Sequence, residues 1–74
     1  MEVTLYSTQQ CMQCEATKKA FDRHGIAYEL IDLNQNPHAK AQVAALGYRQ
    51  LPVVIAGPDH WSGFRPDMIR RLVA

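Results

Sequence analysis

The stretch "VTLYSTQQCMQCEATKKAF", Val3 to Phe21, holds three patterns in succession. Val3 to Ser7 alternates, with Val3 and Leu5 on one side and Thr4 and Tyr6 on the other, which reads as a strand. From about Met12 to His24 the pattern is helical. Ala16, Ala20 and His24 keep helical spacing, Thr17 and Phe21 lie beside them, and Lys18, Lys19 and Arg23 take the solvated side. Gly25 then suits a left-handed helix end. Between strand and helix stand Cys11 and Cys14, the only two cysteines of the 74-residue chain.

The rest of the chain repeats the alternation of strand and helix. Ala27 to Leu33 has strand composition, and "NQNP" breaks it. Asn36 can cap a second helix and Pro37 can take its first position. Ala39, Val43 and Leu46 fall at helical spacing, and Gly47 ends the run. "PVVIAG", Pro52 to Gly57, is a β-branched strand, and "GPDH" is a turn into a short strand around Trp61. A last helix begins near Pro66, with Ile69, Leu72 and Val73 as its apolar edge and Arg70 and Arg71 at its C-terminal dipole. The order is β-α-β-α-β-β-α, an α/β class. A helix between the first two strands permits a right-handed parallel crossover, and "GPDH" permits an antiparallel hairpin. The expected architecture is a four-stranded mixed sheet flanked by three helices, one domain over residues 1–74.

Composition narrows the function classes. Hydrophobic content is 47%, too high for disorder. Net charge is +1, so there is no bulk attraction to nucleic acid or anionic membrane. The longest apolar run, Leu51 to Ala56, is far too short to span a bilayer. "MEVTLYS" enters a strand directly and has no signal-peptide pattern. The cytosol is the expected compartment, and thiols are kept reduced there.

Three uses of the cysteine pair can be weighed. A disulfide staple closing a four-residue loop gains about 2 kcal/mol, against about 4.7 for a 100-residue loop, and the cytosol disfavours it. A structural zinc site wants four ligands, and His24, His38 and His60 lie far apart with no close His pair. A reactive dithiol explains more. Cys11 falls at the helix start, where free N–H groups and the positive helix end favour thiolate and lower its pKa from about 8.5. Cys14 follows one turn later on the same face, pointing inward. Cys11 can attack a disulfide and Cys14 can resolve the mixed disulfide. C-x-x-C beside a βαβ pattern is a redox signal.

With "CMQC", "QLPVV" and "WSGFRPD", the chain resembles the NrdH-redoxins over essentially its whole length. These are small thioredoxin-fold proteins, similar to glutaredoxins in sequence and to thioredoxins in activity. The resemblance implies electron transfer from NADPH, through thioredoxin reductase, to the class Ib ribonucleotide reductase. It implies no bound cofactor, no metal, and a monomer. It assigns Cys11 as nucleophile and Cys14 as resolving cysteine, with Met12 and Gln13 at the variable positions between them and expected among the residues that contact a partner. Pro52 matches the cis proline of the fold, which would turn Leu51 towards the dithiol to receive a substrate strand. Trp61, Ser62, Gly63 and Phe64 are expected beside the dithiol, selecting partners. Arg65 and Asp67, with Ser62, are expected to tie this loop to Gln50 or Arg49.

Two alternatives compete. Glutaredoxins usually carry C-P-[YF]-C, T-V-P and a Gly-Gly-x-x-Asp stretch whose acid receives the glutathione ammonium. This chain has Gln13, "QLP", and Arg65 and Pro66 at the corresponding places. A cation there repels an ammonium, although a register slip of one would bring Asp67 into play. The other alternative is a zinc or iron–sulfur module in which Cys11 and Cys14 bind across a dimer. Thioredoxins also keep a buried carboxylate near the dithiol, and Val3 to Ser7 offers none.

Overall fold

The computed structural model describes residues 2–73. The strands are β1 (Val3–Ser7), β2 (Glu29–Asp32), β3 (Val53–Ala56) and β4 (Asp59–Ser62), and the helices are α1 (Met12–Arg23), α2 (Pro37–Ala45) and α3 (Pro66–Val73). The chain order is the one expected. The sheet runs β2-β1-β3-β4. β1 pairs parallel with β2, Leu5 opposite Leu30, and antiparallel with β3, Leu5 opposite Val54. β3 and β4 form the antiparallel hairpin, Val54 opposite Trp61. This is the thioredoxin fold.

Both faces of the sheet are covered. On one face Val3, Leu5, Val54, Ala56 and Trp61 meet Phe21 of α1 and Ile69 of α3. On the other, Tyr6 and Val53 meet Leu33 and α2's Ala39 and Val43. The alternation of β1 therefore sorts residues between two cores, not between core and water. Phe21, Leu5 and Ile69 are the largest fully buried side chains, and all belong to the α1–α3 layer. Burial of each contributes about 1.5–3 kcal/mol, which anchors α1 and the turn at its start.

Several details differ from the sequence reading. The centre of α1's inner face is Cys14, Thr17 and Phe21. The Ala16–Ala20 line flanks it half-buried, and His24 is exposed. Helical spacing alone cannot tell a flank from the centre of a face. β2 is confined to Glu29–Asp32, opposite Thr4–Ser7 of β1, and is shorter than the Ala27–Leu33 run expected. Leu46 and Val73 are exposed, and Met68 takes Val73's place against the core. The helix caps are as expected. Asn36 Oδ1 accepts from the Ala39 N–H at 3.0 Å, with Pro37 in the first helical position.

Candidate active site

The first turn of α1 forms where β1 ends. Gln10, with φ of +56°, turns the chain, and Cys11 is the N-cap of α1 in extended conformation. Its Sγ accepts the Cys14 N–H at 3.1 Å, so one of the unpaired donors of the helix start is used on sulfur. Cys11 and Cys14 form a disulfide, with Cα atoms 5.2 Å apart. Cys14 is completely buried and Cys11 half-exposed. An incoming group therefore reaches the Cys11 sulfur and not that of Cys14.

The second side of the site is the turn before β3. The Leu51–Pro52 peptide is cis. The Leu51 carbonyl oxygen lies 3.9 Å from Cys11 Sγ. In the disulfide that sulfur carries no hydrogen, so this is a proximity and not a hydrogen bond. The third side is the segment before α3. Gly63 donates its N–H to the Pro52 carbonyl at 2.8 Å.

Gln13, between the cysteines, joins these three sides. Its Oε1 accepts from the Phe64 N–H at 3.2 Å and from Gln50 Nε2 at 3.1 Å. A backbone N–H can only donate, so the Gln13 oxygen must face Phe64 and Gln50 must offer its amide hydrogens. Thr17, itself fully buried, donates its hydroxyl to the Gln13 carbonyl at 2.8 Å and holds this turn from behind.

The loop tie thus exists and uses Gln50, one of the expected partners, but Gln13 joins Gln50 to the Phe64 N–H, in place of the expected Ser62, Arg65 and Asp67. Arg65 and Asp67 pair with each other, Nε to Oδ1 at 3.1 Å and NH2 to Oδ2 at 2.9 Å. Two residues apart at the start of α3, they reach one another more easily than they reach Gln50 or Arg49. This pairing holds the Asp67 carboxyl below its ordinary pKa and the Arg65 guanidinium above its own. It also neutralises much of the Arg65 cation, so repulsion of an ammonium there is weaker than the sequence argument held. Gln13, expected as a variable partner-contacting residue, instead spends its side-chain oxygen within the protein. The signal that pointed to its role was a carboxamide where glutaredoxins place an aromatic ring.

The other expected residues divide. Met12 is 89% exposed and Phe64 39% exposed, so both present apolar surface to solvent. Ser62 is half-buried at the end of β4. Trp61 is a core residue, 3% exposed, and its Nε1 has no hydrogen-bond partner. Its indole does not present itself to a partner, because β4 turns it onto Phe21 and Ile69 of the sheet's inner layer. Gln10, Cys11, Met12, Glu15 and Lys19 line an open hollow of about 520 Å³. Lys18 pairs with Glu15 at 3.0 Å and is not turned to the dithiol. The buried polar residues among those described are Ser7 and Thr17, with no carboxylate. His60 bonds Tyr48 Oη through Nδ1 at 2.6 Å. Among the described residues no group of three or more His, Cys, Asp or Glu is placed to hold a metal ion.

A buried sulfur behind a half-exposed one at a helix start is the arrangement of a redox dithiol, and comparison with known proteins places it. The glutaredoxin family model matches residues 3–61. The glutaredoxin-like protein NrdH of Escherichia coli (strain K12) is 51% identical over 97% of this chain and 89% of its own length. The chain belongs to the glutaredoxin family, in its NrdH-redoxin branch. The NrdH protein of Lactococcus lactis (strain IL1403) is 37% identical over 95% of this chain and 97% of its own length. The solved structure of NrdH-redoxin from Escherichia coli superimposes with a TM-score of 0.96, covering 97% of this chain and 95% of that one. The chain is accordingly a thiol–disulfide oxidoreductase with Cys11 and Cys14 as its redox-active pair. No helix among the described residues is long and apolar enough to cross a membrane.

Proposed function

We propose that the chain is a cytosolic dithiol electron carrier, reduced by NADPH through thioredoxin reductase and donating to a class Ib ribonucleotide reductase. One observation carries the dithiol roles: Cys11 is half-exposed with its sulfur held by the Cys14 N–H at 3.1 Å, while Cys14 is fully buried. The choice of partners is supported by the likeness to the Escherichia coli NrdH-redoxin, whose activity profile is described as thioredoxin-like. NADPH acts only through the reductase, and the carrier itself holds no cofactor.

In the reduced carrier, the Cys11 thiolate attacks one sulfur of the substrate disulfide. The Cys11–substrate bond forms, the substrate S–S bond breaks, and one substrate thiolate leaves. Cys14, losing its proton, then attacks Cys11 Sγ. The Cys11–Cys14 bond forms and the second substrate thiolate leaves. Two electrons pass to the substrate, and the two protons lost by the cysteines balance those gained by its thiols. Among the described residues no buried carboxylate is available, so the Cys14 proton passes to water or to the departing thiolate. Attack by the reductase's dithiol on Cys11 returns the carrier to its reduced form. The substrate chain runs beside the Leu51 carbonyl, 3.9 Å from the reacting sulfur, where it can pair as an added strand.

The test follows NADPH consumption by the oxidised protein in two systems, thioredoxin reductase alone and glutathione with glutathione reductase. Rapid consumption with thioredoxin reductase and slow consumption with glutathione is expected. Rapid turnover in the glutathione system alone overturns the proposal in favour of a glutathione-linked glutaredoxin.

A further inference from the structure

We infer that Gln13 is a positioning residue that assembles the protein-docking face around Cys11 and thereby sets affinity for protein disulfides. The inference rests on the reading that this face receives a protein substrate. The recognition groups come from segments far apart in the chain: Cys11 and Met12 on α1, Leu51 before β3, Gly63 and Phe64 before α3. The β3–β4 ladder registers the Leu51 segment with Gly63, but that ladder does not include α1. Gln13 Oε1 meets two of these segments at once, through Gln50 Nε2 at 3.1 Å and the Phe64 N–H at 3.2 Å. The Gly63 N–H on the Pro52 carbonyl, at 2.8 Å, completes the closure. Two consecutive amides, of Gly63 and Phe64, are thus fixed by the two other sides of the site.

The neighbouring residues fit this role. Gly63 has φ of +82°, and a Cβ there would stand 3.3 Å from Gln13 Oε1 and 3.8 Å from Gln50 Nε2. The glycine lets the loop approach the carboxamide. Thr17 holds the Gln13 backbone at 2.8 Å, so the side chain extends from a fixed base. Gln13 also lies between the two cysteines in sequence, on the same helical turn, so its tie holds the loops in register with the reacting atoms. It acts on a substrate through the placement of Leu51 and Phe64 and does not touch the reacting sulfurs.

The test uses insulin as a protein disulfide, with dithiothreitol as reductant, and compares three variants. Gln13→Met keeps the length and removes the acceptor. Gln13→Glu keeps an oxygen able to accept both donors. Gln50→Ala removes one donor only. For Gln13→Met the KM for insulin is expected to rise about five- to tenfold, the effect of about one net hydrogen bond, with kcat changing less than twofold. Gln50→Ala is expected to raise KM by a smaller factor. Gln13→Glu is expected to restore KM to within about twofold of the unaltered protein. In nitrogen–proton spectra the Phe64 amide should lose its slow hydrogen exchange in Gln13→Met and keep it in Gln13→Glu. An unchanged KM in Gln13→Met, with Phe64 exchange accelerated, overturns the inference, as does a KM rise in Gln13→Glu equal to that in Gln13→Met. Because dithiothreitol replaces the reductase, failure of the thioredoxin reductase assay leaves this test standing. The two readings therefore fail separately.

Discussion

Replacing Gly63 by alanine adds one methyl group at the most crowded glycine of the site. Gly63 has φ of +82°, where an L-residue costs about 1–2 kcal/mol. The smaller entropy of the unfolded alanine chain offsets about 0.4–1 kcal/mol of this. The backbone term is therefore about 1 kcal/mol. The added Cβ stands 3.3 Å from Gln13 Oε1, so that oxygen must move by a few tenths of an ångström. It already accepts bonds of 3.1 and 3.2 Å, and retreat stretches both. Weakening them by the worth of one bond costs about a further 1 kcal/mol. The total is about 2 kcal/mol, or a fall in Tm of about 8–16 °C for a chain of this size. Gly47→Ala is the control. Its φ is +88°, but nothing lies within 4 Å of its added Cβ, so it should show only the backbone part. Thermal unfolding of the oxidised forms by circular dichroism gives both values. Equal losses in the two variants would refute the contact between Gly63 and the Gln13 carboxamide.

Three further outcomes are expected. In Cys14→Ser the Cys11 sulfur should hold a protein substrate as a stable mixed disulfide, whereas Cys11→Ser should trap none; non-reducing gels with mass spectrometry check this, and trapping by Cys11→Ser alone would reverse the two roles. Asn36→Ala removes the Oδ1 that accepts the Ala39 N–H at 3.0 Å and should lower stability by about 1 kcal/mol, seen as a lower urea midpoint, while insulin reduction is retained. The Asp67 carboxyl is held below its ordinary pKa by the Arg65 hydrogen bond, so its folded-state pKa lies below the unfolded one. Its stabilisation is present above the unfolded value and is lost as pH falls through the folded one. Asp67→Asn should lower stability slightly in the neutral region, where the ion pair is intact, and leave the acid end unchanged, so that the acid side of a stability-against-pH curve flattens; the change is small because the pair is exposed.

The parts of this protein legible in sequence are those governed by local rules. Strand alternation in Val3–Ser7, the Asn36–Pro37 cap and the hairpin turn before Asp59 depend on residues within a few positions of each other, and they specify element order and topology. The placing of Cys11 at the start of α1 is equally local, so a reactive dithiol follows from spacing and the helix end. The resemblance of "CMQC", "QLPVV" and "WSGFRPD" supplied the branch of the family. Details that compare one face with another went astray. Leu46 and Val73 keep the helical spacing of buried residues and are exposed, Leu46 as the C-cap of α2 and Val73 as the last residue of α3.

Tertiary structure alone decided how the site is assembled. Gln13 meets Gln50 across 37 positions and Phe64 across 51, and no periodicity connects them. A carboxamide at an exposed helix start has many possible partners in sequence, and folding selects two. Arg65 and Asp67 were equally free on paper, yet close neighbours at a helix start meet each other first. Trp61, read as a partner contact, is carried into the core because β4 pairs Trp61 with Val54 and directs both side chains onto one buried face. Local propensity sets which elements form. Which long side chain reaches which distant backbone group depends on the few ångströms between elements, and those distances exist only once the sheet has brought the three loops together.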